Sequence, residues 1–233
     1  MTINTIIFDL DGTLLYTIED LTDSTNYALE QFGYPKRTIK EITSFVGNGV
    51  SLLIERAIPN GKNNPHFKEC LEIFKTHYSK NMYNKTKPFD GIIEVLQTLK
   101  NNGYKLAVVS NKFDSAVKEL CKKYFDGLII SAVGQSDNIK QKPSPDSVHQ
   151  VMNELNVTQE ECVFVGDSEV DIQTAQNTGI PCISVSWGYK DIDFLYNNGA
   201  EVIIYTPDEL LELLWVKPFS FFKNINTSIP INF

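Results

Sequence analysis

Two carboxylates one residue apart, Asp9 and Asp11, follow a run of β-formers, Ile6-Ile7-Phe8, and precede Gly12. Side chains two apart on extended chain point the same way, so both acids can converge on one site. Crowded carboxylates repel unless a cation, a shared proton or a phosphoryl group accounts for them. The pair therefore suits metal binding or acid–base and nucleophilic chemistry. The bland alternative is a turn, since Asp and Gly are ordinary turn residues. A calcium loop of the EF-hand type is excluded, because it needs glycine sixth and glutamate twelfth within a helical frame. Here the glycine comes fourth and a strand precedes it.

Three more groups of chemical residues lie further along. Asp167 and Asp171 are four apart across an expected helix start, so they share a face. Like charges at that spacing cost about 0.2–0.5 kcal/mol on an isolated helix, which a bound divalent cation would reverse. Capping of that helix by Asp167 or Ser168 is the alternative. Lys142, in the loop Lys140 to Asp146, is either a solvated side chain or the counter-charge for those acids. Ser110 with Asn111 follows a β-rich run. Ser110 is a turn residue or N-cap, or else its hydroxyl and the following N–H groups hold phosphate oxygens.

The elements that must position these groups can be read from periodicity. Strands are expected at Ile6–Phe8, Lys105–Val109, Leu128–Ile130, Cys162–Val165, Pro181–Val185 and Val202–Ile204. Helices are expected between them, at 89–102, 114–124, 147–155, 169–177 and 207–215. That alternation predicts an α/β fold, a doubly wound parallel sheet, whose strand ends share one edge. Asp9, Asp11, Ser110, Lys142 and Asp167 then meet in one crevice. Residues 16–85 show helical patterns only, at about 18–32, 38–45, 51–58 and 65–83. They predict a helical cap inserted into a core formed by 1–15 and 86–216.

Composition bounds the function. The chain has 233 residues, 42% hydrophobic and 21% charged, with a net charge of −8. No basic run occurs, so nucleic-acid or anionic-membrane partners lack their usual footprint. No apolar stretch is long enough to cross a membrane, and no secretory leader is expected after Met1. Cys70, Cys121, Cys162 and Cys182 are scattered, which suits reduced thiols in the cytoplasm. His66, His77 and His149 have no ligand-like pairing. In residues 217–233, Ile225, Thr227, Ile229, Ile231 and Phe233 alternate with polar residues or proline. The segment is either an edge strand, covering its own subunit or pairing with a second one, or a disordered terminus.

Taken in order, Asp9-Leu10-Asp11-Gly12-Thr13, Ser110, Lys142 and Gly166-Asp167-Ser168-Glu169-Val170-Asp171 resemble the four motifs of the haloacid dehalogenase-like phosphohydrolase superfamily. Phe45-Val46-Gly47-Asn48-Gly49-Val50, Ser110-Asn111-Lys112, Lys142-Pro143-Ser144-Pro145 and Ser186-Trp187-Gly188-Tyr189 look most like its phosphoglycolate phosphatases. The resemblance implies a Mg²⁺-dependent phosphatase acting on a small phosphate ester through an aspartyl-phosphate. It implies Asp9 as nucleophile and Asp11 as general acid and base. Mg²⁺ would lie on Asp9, Asp167 and the Asp11 carbonyl, with Asp171 behind them. Ser110, Asn111 and Lys142 would hold the phosphoryl oxygens. The cap loop Gly47-Asn48-Gly49 would select substrate, and Arg56 would meet a substrate carboxylate or simply be a solvated helix residue. Phosphomutase, pyrophosphatase and 5'-nucleotidase chemistry remain open on the same core, as does a non-catalytic phospho-acceptor domain. The chain would act as a monomer or homodimer.

Overall fold

The computed structural model describes residues 3–216, and the alternating C-terminal segment lies outside them. In chain order the elements are β1 (Thr5–Phe8), β2 (Leu15–Tyr16), α1 (Ile18–Glu30), α2 (Ile39–Phe45), α3 (Gly49–Ala57), α4 (Phe67–Asn81), β3 (Lys87–Pro88), α5 (Ile92–Asn101), β4 (Lys105–Phe113) and α6 (Asp114–Phe125). There follow β5 (Ser131–Gln135), α7 (Asp146–Leu155), β6 (Cys162–Gly166), α8 (Glu169–Thr178), β7 (Cys182–Val185), α9 (Ile192–Asn197), β8 (Ile203–Ile204) and α10 (Asp208–Val216).

Six strands form a parallel sheet in the order β5-β4-β1-β6-β7-β8. β1 lies between β4 and β6 and is buried along its whole length. Its alternation sorts the two faces. Ile6 and Phe8 join the larger apolar cluster with α5, α6 and the helices that precede β3, while Ile7 joins a second cluster with α7 and α8. Strand order reverses about β1, which is where ligands bind in open α/β sheets. No helix of the described residues is long and apolar enough to cross a membrane.

The helices α1 to α4 stand over the carboxyl edge of the sheet. Their buried residues, among them Leu53, Ile54, Phe74 and Tyr78, belong to the same cluster as one sheet face. The chain departs and returns through a two-stranded antiparallel ribbon, Leu15–Tyr16 against Lys87–Pro88. Periodicity did not find that ribbon, because two residues carry no period. Beside it Asp20, 2% exposed, accepts hydrogen bonds from the Lys85 and Thr86 N–H groups and the Thr86 hydroxyl.

Most expected elements are present with ends moved by one to three residues. One is displaced: Leu128–Ile130 is a turn and bend, and the strand is Ser131–Gln135. Ile130 is 56% exposed, so the most apolar triplet of that region leads into the strand instead of forming it. The true strand has weak β-formers because it must pass close to α6: a Cβ on Gly134 would strike the Asp114 backbone. β4 also runs beyond Val109 to Phe113, with an irregular register between those residues, so Ser110 to Lys112 are strand residues. The helix α9 was not anticipated.

Candidate active site

Asp9 continues the β1–β6 ladder by one bond, its N–H donating to Val165 O at 2.9 Å, and is 8% exposed. The chain then folds sharply. Leu10 O receives the N–H groups of Leu14 and Leu15, at 3.1 and 2.9 Å. Gly12 takes a φ of +86°, and a side chain there would collide with the Asp167 carboxylate. Thus the glycine permits both the turn and the approach of a second acid.

Asp167 follows β6. Its carboxylate accepts the Tyr189 N–H at 2.7 Å and the Thr13 hydroxyl at 3.3 Å. Gly188 lies so close that a Cβ would overlap that of Asp167. Trp187 Nε1 donates to Thr13 O at 3.0 Å, and the Thr17 N–H donates to the Tyr189 hydroxyl. The loop after β7 therefore clamps the β1 loop onto Asp167. Asp171, in the first turn of α8, accepts the Ser168 N–H at 3.1 Å and the Ser168 hydroxyl at 2.6 Å. The capping alternative is thus realised, but by Ser168 together with Asp171.

Lys142 lies beneath these acids, 5% exposed. Its Nζ donates to Asp171 Oδ1 at 2.7 Å and lies 2.8 Å from Asp9 Oδ1. The second contact is an ion pair without hydrogen-bond alignment, since Asp9 Oδ1 has no hydrogen-bond partner. Burial works against the lysine's charge, but Asp171 and Asp9 outweigh it and hold its affinity for the proton above the ordinary range. Burial pushes the Asp9 carboxyl up to about 7. Lys142 opposes the shift, and Asp171 and Asp11 add to it. Burial, then Asp171 and Asp9, raise Asp167 well above the usual carboxylate range.

Asp9, Asp167 and Asp171 each offer a carboxylate oxygen, all within 4.8 Å of one another. Three clustered acids against one lysine leave an excess of negative charge on hard oxygen donors, which fits a divalent cation. Asp11 has different neighbours. Its Oδ1 accepts the Thr17 hydroxyl at 2.5 Å and pairs with Lys112 Nζ at 2.9 Å. Lys112 is 4% exposed, and its ammonium lies 4.6 Å from the centre of the Tyr78 ring on α4.

Above them is a cavity between the sheet edge and the helices α1 to α3. Its sheet side includes Asp9, Asp11, Ser110, Asn111, Lys112 and Asp167, and its helical side is Leu21, Val46, Gly47, Gly49, Val50 and Leu53. Ser110 lines the cavity, but from within β4 and not from a turn after it. Asn111 lines the cavity, but its side-chain amide is already engaged. It donates to Gly47 O and Lys142 O, at 3.1 and 3.0 Å, and accepts the Lys142 N–H at 2.8 Å. Asn48 is not among the lining residues, although both glycines beside it are. Arg56 is also outside the cavity, and its guanidinium donates to Phe45 O at the end of α2. An arginine near a helix C-terminus finds carbonyls close at hand, and that local partner takes it. Lys112, Thr17 and Tyr189 were given no role from sequence. Lys112 and Tyr189 stand only within stretches that resemble the family, and Thr17 carries no signal beyond being a polar residue after a strand.

Residues 6–185 match the family model described as haloacid dehalogenase-like hydrolase. The chain is 31% identical to the phosphoglycolate phosphatase of Aquifex aeolicus over 90% of this chain and 95% of that one. A solved structure from Lactobacillus delbrueckii subsp. bulgaricus, provisionally assigned as a phosphoglycolate phosphatase, superposes with a TM-score of 0.88 at 36% identity, covering 93% of this chain and 100% of that one. A predicted phosphoglycolate phosphatase from Haemophilus somnus gives 0.85 at 27% identity, covering 91% and 98%. The sheet-edge acids, the fold and these likenesses agree: the chain belongs to the haloacid dehalogenase-like hydrolases and is a phosphatase.

Proposed function

We propose that the protein hydrolyses a small phosphorylated metabolite, 2-phosphoglycolate foremost, through an aspartyl-phosphate on Asp9, with Mg²⁺ as cofactor. The observation that carries this reading is the setting of Asp9. It lies at the end of the central strand, ion-paired with Lys142 and gathered with two further acids whose carboxylate oxygens come within 4.8 Å of its own.

In this scheme an Asp9 oxygen attacks phosphorus, and the bond from phosphorus to the ester oxygen breaks. Asp11 gives its proton to the departing oxygen. Water then attacks the same phosphorus while Asp11 takes the water's proton. The bond from phosphorus to Asp9 breaks, releasing phosphate and restoring the carboxylate. Lys142 and the Ser110 hydroxyl balance charge on the phosphoryl oxygens. Asn111 fixes the Lys142 backbone through two hydrogen bonds and ties it to the Gly47 carbonyl through a third. The cation, held by Asp9, Asp167 and the Asp11 carbonyl, would supply positive charge to the phosphoryl group. Asp171, whose oxygens already serve Lys142 and Ser168, steadies that set from behind. The helices α1 to α4 act as a cap that excludes bulk water.

The test is phosphate release from a panel with Mg²⁺: 2-phosphoglycolate, pyrophosphate, nucleoside monophosphates and sugar phosphates. Turnover led by 2-phosphoglycolate and abolished by EDTA is the expected result. Isomerised sugar phosphate without free phosphate would make the protein a mutase. Full activity after exhaustive chelation would remove the metal.

A further inference from the structure

With Arg56 outside the cavity, the helical side offers no cation to a substrate. Its lining residues are aliphatic or glycine. A second negative charge on the substrate must therefore be met from the sheet side, where the lining cations are Lys112 and Lys190. Lys190 is half-buried, and its ammonium lies 5.4 Å from the Phe194 ring centre. Lys112 is committed more firmly. Its side chain is 2% exposed, held between the Asp11 carboxylate and the face of Tyr78.

We propose that Lys112 is the specificity-determining residue, receiving a carboxylate borne on the carbon next to the ester oxygen. The substrate class is thus the phosphate esters of 2-hydroxy acids. The inference rests on the roles proposed above for Asp9 and Asp11. An ester oxygen that takes its proton from Asp11 lies within a hydrogen bond of that carboxylate. Lys112 Nζ is 2.9 Å from the same carboxylate, so it is a near neighbour of the ester oxygen. A carboxylate one carbon away carries its oxygens to about 3 Å from that atom by ordinary bond lengths. A charge-assisted bond to Lys112 is then within reach. A longer spacer would push the carboxylate towards Val46, Val50 and Leu53, where no charge answers it.

The experiment compares 2-phosphoglycolate with ethyl phosphate, which keeps the skeleton and lacks the carboxylate. Wild type, Lys112→Met and Lys112→Arg are assayed with saturating Mg²⁺. Wild type should prefer 2-phosphoglycolate in kcat/KM. Lys112→Met should lose at least about tenfold more on 2-phosphoglycolate than on ethyl phosphate, chiefly through KM. Lys112→Arg should regain part of the preference. A second measurement needs only wild type: glycolate should inhibit ethyl phosphate hydrolysis at concentrations where glycolamide does not. Equal losses on the two substrates would overturn the proposal, showing that Lys112 acts through Asp11 alone. Wild type without preference would overturn it too, while leaving the phosphatase reading intact. If neither ester released phosphate, the reading beneath it would fall, and the proposal with it.

Discussion

The two sides of the cavity are built from different materials. The sheet side is a lattice of charge, in which Asp9, Asp167 and Asp171 crowd around Lys142, and Asp11 leans on Lys112. The helical side is aliphatic surface and glycine backbone. Charged groups at fixed distances depend on one another, so a change to one is felt by all. Aliphatic neighbours contribute area, and a change to one is felt mainly by what it touches.

Breaking the comparison at its strongest point means Asp9→Asn. Phosphate release should fall by at least about 10³-fold. The fold should survive, with a thermal midpoint at pH 8 no lower than wild type, because one of three crowded acids has lost its charge. Midpoint and turnover measured on one preparation check both. Next is Lys142→Met, which leaves Asp9 and Asp171 without their cation. A cost of about 3–5 kcal/mol in denaturant unfolding is expected, as for other buried ion pairs that lose one partner. That cost should shrink at pH 5, where Asp9 can take up a proton.

The third effect is a pH dependence. With its carboxyl pushed up to about 7, the folded metal-free protein holds a proton on Asp9 that the unfolded chain releases near 3.8. More protons are bound folded than unfolded across that window, so stability is lost as pH rises from about 4 to about 7. A cation on the same oxygens would compete with the proton. The thermal shift given by Mg²⁺ should therefore be larger at pH 8 than at pH 5, and equal shifts would place the ion elsewhere. The smallest effect is expected on the helical side. Val46→Ala should raise KM by no more than about tenfold and leave kcat nearly unchanged, since it removes contact area alone.

The contrast also explains what could be read from the chain. Asp9, Asp11 and Asp167 could be placed because each follows a recognisable strand, and a parallel sheet brings those ends together. Lys142, in the loop before α7, stood out only as a counter-charge for those acids and by the resemblance. Lys112 stands within a resembling stretch but was given no role, since nothing local distinguishes a lysine that will be buried from one that will be solvated. Its setting depends on Tyr78, a residue of another layer. The sequence leaves Arg56 between a substrate carboxylate and a solvated helix position; it is exposed and donates to a carbonyl eleven residues away, outside the cavity. β5 was shifted because close approach to α6 demanded Gly134 where a β-former would have announced the strand.

The ribbon of Leu15–Tyr16 and Lys87–Pro88, with Asp20 beside it binding the returning strap, brings both crossings of the helical segment to one doorway. Paired strands are about 4.8 Å apart, so the segment begins and ends at nearly the same place. A cassette with coincident ends can be lengthened, shortened or exchanged without rethreading the sheet. Reactivity at the strand ends and the shape of what covers them can then vary as separate inheritances, one lineage of covers succeeding another above an unaltered set of acids.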